Sequence, residues 1–371
     1  MEGTMKQAWL MGKGGPFEVR DVPIPKAGPE ELLVRVKASS LCNQTDLNSI
    51  RALHPPHDHQ MLGMLPHDMR VWAGRAPDAL SKYYPSKRYP IAPYPTMMGH
   101  EGIGEIAEIG PYSALTDNET DEVRLEIGTR VVGIPIVGGL GEYIIAGRRR
   151  WLPVPDSIDD VSGTMIEPAF MVLNAVRQTV TIGDVVCVVG QGVLGLLATQ
   201  IAKAMGARKV IAVEPLAHKR ALALKLGADV VIDPDACGGK ITDAVLEAGG
   251  GGVDSALECA GVPESIAYLP YIMKNGGIIG QIGACCDPVL IDWCYIHFRG
   301  LKVVGGSHLL QTGHFPRLMR RAIDIIASGQ IDVKSMITHR YHELTAANLY
   351  EAFNLIEKDI PVKAVFIFGE S

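Results

Sequence analysis

The chain has 371 residues, 47% of them hydrophobic and 20% charged, with a formal net charge of −6. That length exceeds one ordinary core and points to two domains, and the acidic balance speaks against a general nucleic-acid footprint. Nothing in MEGTMKQAWL makes a signal peptide, no uncharged apolar stretch of spanning length stands free of glycine clusters, and seven scattered cysteines do not make a disulfide framework. The expectation is a cytoplasmic protein with neither a membrane nor a nucleic-acid partner.

Taken in chain order, the first part is rich in strand signals. They fall at 16–23 (PFEVRDVP), 32–38 (LLVRVKA), 102–109 and 129–134 (TRVVGI), separated by Pro and Gly turns, and GGLGEYIIAG at 138–147 continues them. Residues 51–95 break the pattern. They are rich in Pro, Tyr, Met and His without a period, which reads as an inserted lobe rather than a flexible linker. Lying between two candidate site segments, this lobe is placed to shape a substrate entrance; a surface lobe or subunit contact is the plainer reading.

The composition changes near residue 161. From Val185 onward strands and helices alternate: VVCVVG (185–190), a helix over 193–205, KVIAVE (209–214), a helix over 216–226, then VDSALECAG (253–261) and GGIIGQIG (276–283). Alternation of this kind makes a doubly wound parallel sheet, and the all-apolar 185–190 run suits a strand covered on both faces. An amphipathic helix, 315–329, and a second helix, 346–358, precede a closing strand, KAVFIFG.

Within VVGQGVLG (188–195), Gly190, Gly192 and Gly195 form a GxGxxG. The motif alone is weak, but here it follows a buried strand and opens a helix. Gly190 would make the tight turn, Gly192 would admit a pyrophosphate to the helix N-terminus, and Gly195 would allow close packing of helix on strand, with Gln191, Val193 and Leu194 completing the loop. Glu214, 19 residues after Gly195, stands where an acid binds the adenosine ribose and repels a 2′-phosphate, which favours NAD over NADP. Lys219 and Arg220 nearby read as the exposed face of the next helix.

A second constellation starts from His100-Glu101 in TMMGHEGIGEIAEIG (96–110). A polar pair among small and apolar residues needs a hydrogen-bond network or a metal to compensate its burial. Cys42, Thr45 and Asp46 in SSLCNQTDL and Glu167 in GTMIEPAF offer further donors, of types that zinc accepts. Sequence distance alone does not join them.

The stretch GHEGIGEIAEIG (99–110) resembles the signature of zinc-dependent alcohol dehydrogenases: Gly-His-Glu, two residues, Gly, five residues, Gly. LGAD (226–229), GG-x-GEY (138–143) and LYEAFNLIEKDIPVKAVF (349–366) are similar to the same medium-chain superfamily over nearly the whole chain except 51–95. The Glu-Pro of IEPAF brings it nearer the sorbitol and threonine dehydrogenase branch. The resemblance implies an α/β architecture: a GroES-like β-barrel catalytic domain over 1–166, a Rossmann NAD-binding domain over 167–308, and a segment 309–371 returning to the catalytic domain.

It also implies one catalytic zinc per chain, because the four-cysteine structural zinc lobe is missing, and NAD as cofactor. Cys42 and His100 match the first zinc ligands, with Glu101 and Glu167 as candidates for the remaining carboxylate. Asp46 matches an acid that orients the ligand His. Thr45 matches the hydroxyl that takes the substrate proton, although Cys42-Asn43-Gln44-Thr45-Asp46 has one residue more than the commonest spacing, and Asn48 replaces a relay His. Gln281, Ile282 and Gly283 match a backbone stretch facing the nicotinamide amide, Cys259 and Ala260 fall beside its ribose, and Lys363 falls where a base reaches the pyrophosphate. The implied reaction moves a hydride between a secondary alcohol, polyol or hydroxy-amino acid and NAD, in a cleft of a homodimer or homotetramer. Two alternatives stand beside it: a zinc-free quinone or enoyl reductase, and a non-catalytic NAD(P)-binding protein.

Overall fold

A computed structural model describes residues 3–43, 46, 50, 94–111, 125–133, 138–285, 289–306, 315–358 and 360–369. Thr45, Asn48 and all of the 51–95 lobe except Tyr94 and Pro95 lie outside the described residues. The strands run β1 (Thr4–Leu10), β2 (Phe17–Pro23), β3 (Glu31–Ser40), β4 (Thr96–Met97), β5 (Glu101–Ile109), β6 (Arg130–Gly133), β7 (Tyr143–Gly147) and β8 (Trp151–Pro153). They continue with β9 (Val185–Val189), β10 (Lys209–Val213), β11 (Val230–Ile232), β12 (Val253–Glu258), β13 (Met273–Gln281), β14 (Lys302–Gly305), β15 (Ile337–Tyr341) and β16 (Lys363–Ile367). The chain divides into two compact units, Met1–Val154 with His339–Ser371, and Pro155–Thr338.

The first unit is built on antiparallel pairs. A seven-stranded sheet has the order β15-β16-β3-β5-β6-β8, with β7 also pairing with β3, and a smaller sheet has the order β2-β1-β4. In β3 the side chains of Leu32, Val34 and Val36 are buried together with Ile106, Val131, Ile144 and Trp151. That spacing of two along the strand is the period that puts alternate residues on one face.

A helix over Ala346–Glu357 closes a second core cluster of this unit. Its start is set by Thr345, whose side chain accepts the Asn348 N–H at 3.1 Å. Leu349, Ala352, Phe353 and Ile356 are its buried residues, at i, i+3, i+4 and i+7 on one stripe. The stripe meets the N-terminal hairpin, where Phe353 stacks on Phe17 with ring centroids 5.0 Å apart. Residues at opposite ends of the chain therefore share one core.

The second unit carries a six-stranded sheet in the order β11-β10-β9-β12-β13-β14, parallel at every pairing. Numbered along the chain within this sheet, that order is 3-2-1-4-5-6, the doubly wound dinucleotide-binding arrangement. All five residues of β9, VVCVV, are buried, as a central strand covered on both faces requires. The chain order reverses between β9 and β12, so a crevice opens beyond the carboxyl ends of these two strands. Among the described residues, no helix is long and apolar enough to cross a membrane.

Phe353 is 4% exposed. Replacing it with Ala should destabilise the protein by about 3–5 kcal/mol, the range for a fully packed Phe. Urea unfolding followed by circular dichroism would measure this, and a loss below about 1 kcal/mol would contradict the packing role assigned to it.

Candidate metal centre and dinucleotide crevice

Three adjacent strands build the first site. Val365 of β16 pairs with Ser40 of β3, and Ser40 pairs with Glu101 of β5. This register brings Lys363, Ser40 and Glu101 side by side. The Lys363 ammonium forms an ion pair with Glu101 Oε2, and the Ser40 hydroxyl donates to the same oxygen. Lys363 is 1% exposed and Glu101 2%, so the pair is a buried one whose charges compensate each other.

Just past β3 the chain is stitched to the start of β16. The Leu41 N–H donates to the Ala364 carbonyl at 3.0 Å, and Asn43 Nδ2 to the Val362 carbonyl at 3.1 Å. Cys42 lies between them. Its own N–H donates to Asp46 Oδ2 at 2.9 Å, and the Asp46 N–H returns to the Cys42 carbonyl at 3.2 Å.

The result is a cluster of Cys42, His100 and Glu101, whose sulfur, ring nitrogen and carboxylate oxygen all lie within 4.8 Å of one another. Zinc–ligand bonds are about 2.0–2.3 Å long, so donors spread over roughly twice that length enclose one ion with small side-chain adjustment. The electrostatics fit a cation as well. Burial works against a charge on His100, but the hydrogen bond with Cys42 and the negative charges of Cys42, Asp46 and Glu101 outweigh it and push the imidazole up to about 10. Burial pushes the Asp46 carboxyl up, opposed by His100 and by hydrogen bonds from the Cys42 and Gly99 backbone. Thiol, imidazole and carboxylate are a donor set that suits zinc.

Other residues singled out from the sequence are placed as follows. Thr45 lies outside the described residues. Glu167 belongs to the second unit, at the start of the helix Ile166–Thr179, and is 6% exposed. Lys363, expected to reach a cofactor pyrophosphate, is instead enclosed against Glu101. The resemblance gave it a basic residue's role but could not show that a buried carboxylate stood opposite.

The second site lies at the ends of β9, β10, β12 and β13. Gly190 has φ +83°, and a Cβ there would stand 2.9 Å from Ala260. At Gly195 a Cβ would fall 1.7 Å from the Gly190 carbonyl oxygen, so helix and loop could not approach as they do. Gly192 precedes the helix Val193–Ala204, and a Cβ there would meet nothing. That leaves the helix N-terminus approachable, as an anion site requires. Val193 is buried and Leu194 half-buried. The Gln191 side chain points inward: Nε2 donates to the Val188 carbonyl at 3.2 Å, and Oε1 accepts from Thr199 Oγ1 at 3.0 Å.

Glu214 follows β10 and is 4% exposed. Its Oε2 accepts the Gln191 N–H at 2.6 Å and its Oε1 the Leu216 N–H at 3.0 Å. The acid is thus fixed beside the glycine loop. Arg220 is paired with Asp233 at 2.9 Å. Lys219, expected on an exposed face, is 4% exposed. The short helix Ala217–Lys225 has weak amphipathic patterning, and its sequence gave no sign of which lysine turns inward.

Cys259 and Ala260 follow β12, while Gln281 ends β13 and leads into Ile282 and Gly283. Between these segments sits Glu258, a residue the sequence reading passed over. It is fully buried and bonded to both segments. A signal was present: an acid directly after Ala256-Leu257, at the end of a strand, raises the same question as His100-Glu101.

In the metal-free protein, the raised His100 value implies a stabilising contribution that is complete below the ordinary imidazole value of about 6.5 and is lost as pH rises toward about 10. At pH about 8 the His100 ring should still carry both protons in 15N NMR spectra, and one equivalent of zinc should release a proton from it. A ring already neutral at that pH would overturn this account of the site.

The zinc-binding dehydrogenase family model matches residues 193–325, and the alcohol dehydrogenase GroES-like domain model matches residues 28–156. An L-threonine 3-dehydrogenase of Pyrococcus horikoshii is 29% identical over 375 residues, 94% of each chain. An alcohol dehydrogenase of Cupriavidus necator is 28% identical, over 94% of this chain and 95% of that one. Among solved structures, a zinc-binding dehydrogenase of Sinorhizobium meliloti bound to NADP superposes with a TM-score of 0.75 at 28% identity, covering 98% of this chain and 99% of that one. The two family models fall one on each compact unit, and the relatives span almost the whole sequence. The chain belongs to the zinc-dependent medium-chain dehydrogenase superfamily, in its threonine- and sorbitol-dehydrogenase-like branch.

Proposed function

We propose that the protein is an NAD-dependent, zinc-dependent dehydrogenase of a secondary alcohol, polyol or hydroxy-amino acid. The observation that carries this reading is the Cys42–His100–Glu101 cluster, in a chain whose other unit carries a glycine loop latched to an acid. Cys42 and His100 would hold the ion, with the remaining carboxylate position shared between Glu101 and Glu167. When bound, zinc supplies Lewis acidity toward the alcohol oxygen. Thr45 takes the hydroxyl proton. Asp46, bonded to the Cys42 backbone and facing His100, keeps both ligands oriented. The ion pair with Lys363 offsets the charge of Glu101, so the centre carries less negative charge than its residue count implies.

The cofactor reading rests on Gly190, Gly192, Gly195 and Glu214. An acid at the end of β10 can accept from the two ribose hydroxyls of NAD and repels the 2′-phosphate of NADP. Cys259, Ala260, Gln281, Ile282 and Gly283 line the nicotinamide side of the crevice in this reading.

We also propose that the protein acts as a homo-oligomer. Its second unit ends its sheet in β14, an edge strand, and Leu290, Trp293, Phe298 and Val303 nearby in sequence are 92%, 67%, 81% and 48% exposed. An edge strand and large apolar side chains left in water are both relieved by pairing with a second copy. Light scattering should report a dimer or larger assembly, and Phe298→Glu with Val303→Lys should shift it toward monomer. A monomeric parent protein would end this proposal.

Metal analysis and turnover test the main reading together. The purified protein should hold about one zinc per chain and reduce NAD with some member of a panel of polyols, hydroxy-amino acids and secondary alcohols. Cys42→Ser should lose the metal. Thr45→Val should retain metal and NADH binding yet lose at least about a hundredfold in kcat, the lower range for removing a positioned proton acceptor. Metal-free protein that still binds NAD would favour the zinc-free reductase, and a fully active Thr45→Val would remove that residue from the mechanism.

A further inference from the structure

Glu258 is a fully buried acid that the mechanism above does not use. Its side chain accepts four hydrogen bonds. Oε1 takes the Ala260 N–H at 2.9 Å, the Gly261 N–H at 2.9 Å and the Ser265 hydroxyl at 2.7 Å. Oε2 takes Gln281 Nε2 at 2.6 Å. Its carbonyl oxygen accepts the Ile282 N–H at 2.8 Å and the Gly283 N–H at 2.9 Å. Gln281 Nε2 completes the loop by donating to the Gly283 carbonyl at 2.7 Å. Burial pushes the Glu258 carboxyl up and these donors oppose it, the Ser265 hydroxyl with its one hydrogen lying equally close to the Val262 carbonyl at 2.7 Å. Such charge-assisted bonds are what makes a buried charge tolerable.

The position matters as much as the bonds. Glu258 ends β12, beside β9 at the point where the strand order reverses. The two segments it holds, 259–261 and 281–283, are the turns after β12 and β13. They are packed with no room to shift independently: a Cβ on Gly283 would lie 2.5 Å from the Gly261 nitrogen and 2.8 Å from Glu258 Oε2. On the other side, Ala260 touches the glycine loop at Gly190. Two acids thus brace the two halves of one crevice. Glu214 fixes the glycine loop, and Glu258 fixes the turns across from it.

We propose that Glu258 is a positioning residue for the nicotinamide half of the cofactor, holding the 259–261 and 281–283 turns in the single arrangement that receives it. This rests on the NAD reading above. It assigns to Glu258 no contact with the cofactor; it acts through the two turns. Glu258→Gln keeps the shape but turns an amide NH2 toward Gln281 Nε2, so two donors face each other and the side-chain tie that sets Gln281 is lost, while the Glu258 carbonyl still accepts from Ile282 and Gly283. The adenosine half, held by Glu214 and the glycine loop, is untouched.

The test compares two ligands on the full-length zinc-loaded protein by calorimetry: NADH, and ADP-ribose, which lacks the nicotinamide ring. Glu258→Gln should weaken NADH roughly tenfold or more, the equivalent of losing one charge-assisted hydrogen bond, and leave ADP-ribose within about twofold. Equal weakening of both ligands would mean a general structural role and overturn the proposal, and so would unchanged binding of both. Should Glu258→Gln not fold, Ser265→Ala removes a donor to the same carboxylate at a residue outside the crevice lining, and should weaken NADH while leaving ADP-ribose within about twofold. A parent protein that binds neither NADH nor ADP-ribose would overturn the NAD reading itself, a result visible before any variant is made.

Discussion

The buried ion pair between Lys363 and Glu101 joins β16 to β5, the strand that begins directly after His100, and the metal centre is assembled around it. Neither charge could stay in that interior alone. The strand register that sets Val365 opposite Ser40 and Ser40 opposite Glu101 supplies both partners for the carboxylate. The same strands stitch Leu41 and Asn43 to the start of β16, and Cys42 is held between those two anchors. With Cys42 fixed, Asp46 folds back onto its backbone, and His100 lies beside Cys42, Asp46 and Glu101.

The same physical theme recurs in the second unit with different means. There the acids at the strand ends are held by backbone N–H groups and a few side-chain donors rather than by a cation. Glu214 and Glu258 each convert a flexible turn into a fixed surface. The parallel sheet supplies the positions, because every strand delivers its carboxyl end to the same edge. Glycines at 190 and 195 then let loop, helix and neighbouring strand approach more closely than side chains would allow.

Much of this was legible in the sequence, for identifiable reasons. The VVCVV run, the GxGxxG after it and the helix over 346–358 are local patterns, and local patterns survive without a structure. The pairing of His100 with Cys42 was reached through family resemblance, since 58 residues separate them. What escaped were long-range partners of charged groups. Lys363 read as a cofactor contact because nothing in its own neighbourhood names Glu101, and Lys219 read as a surface residue because a short helix of mixed polarity does not declare its inner face. Glu258 was overlooked because its donors arrive from three separate segments.

The whole second unit, Pro155–Thr338, is threaded between β5 and β16 of the first. The side chain that steadies Glu101 is therefore made long after Cys42, His100 and Glu101 have been synthesised. A nascent chain displays a thiol and an imidazole whose neighbouring carboxylate has no counter-charge, and closing that distance carries the loop entropy of the stretch between Glu101 and Lys363, most of the sequence. Capture of a metal by the finished geometry therefore waits on β16.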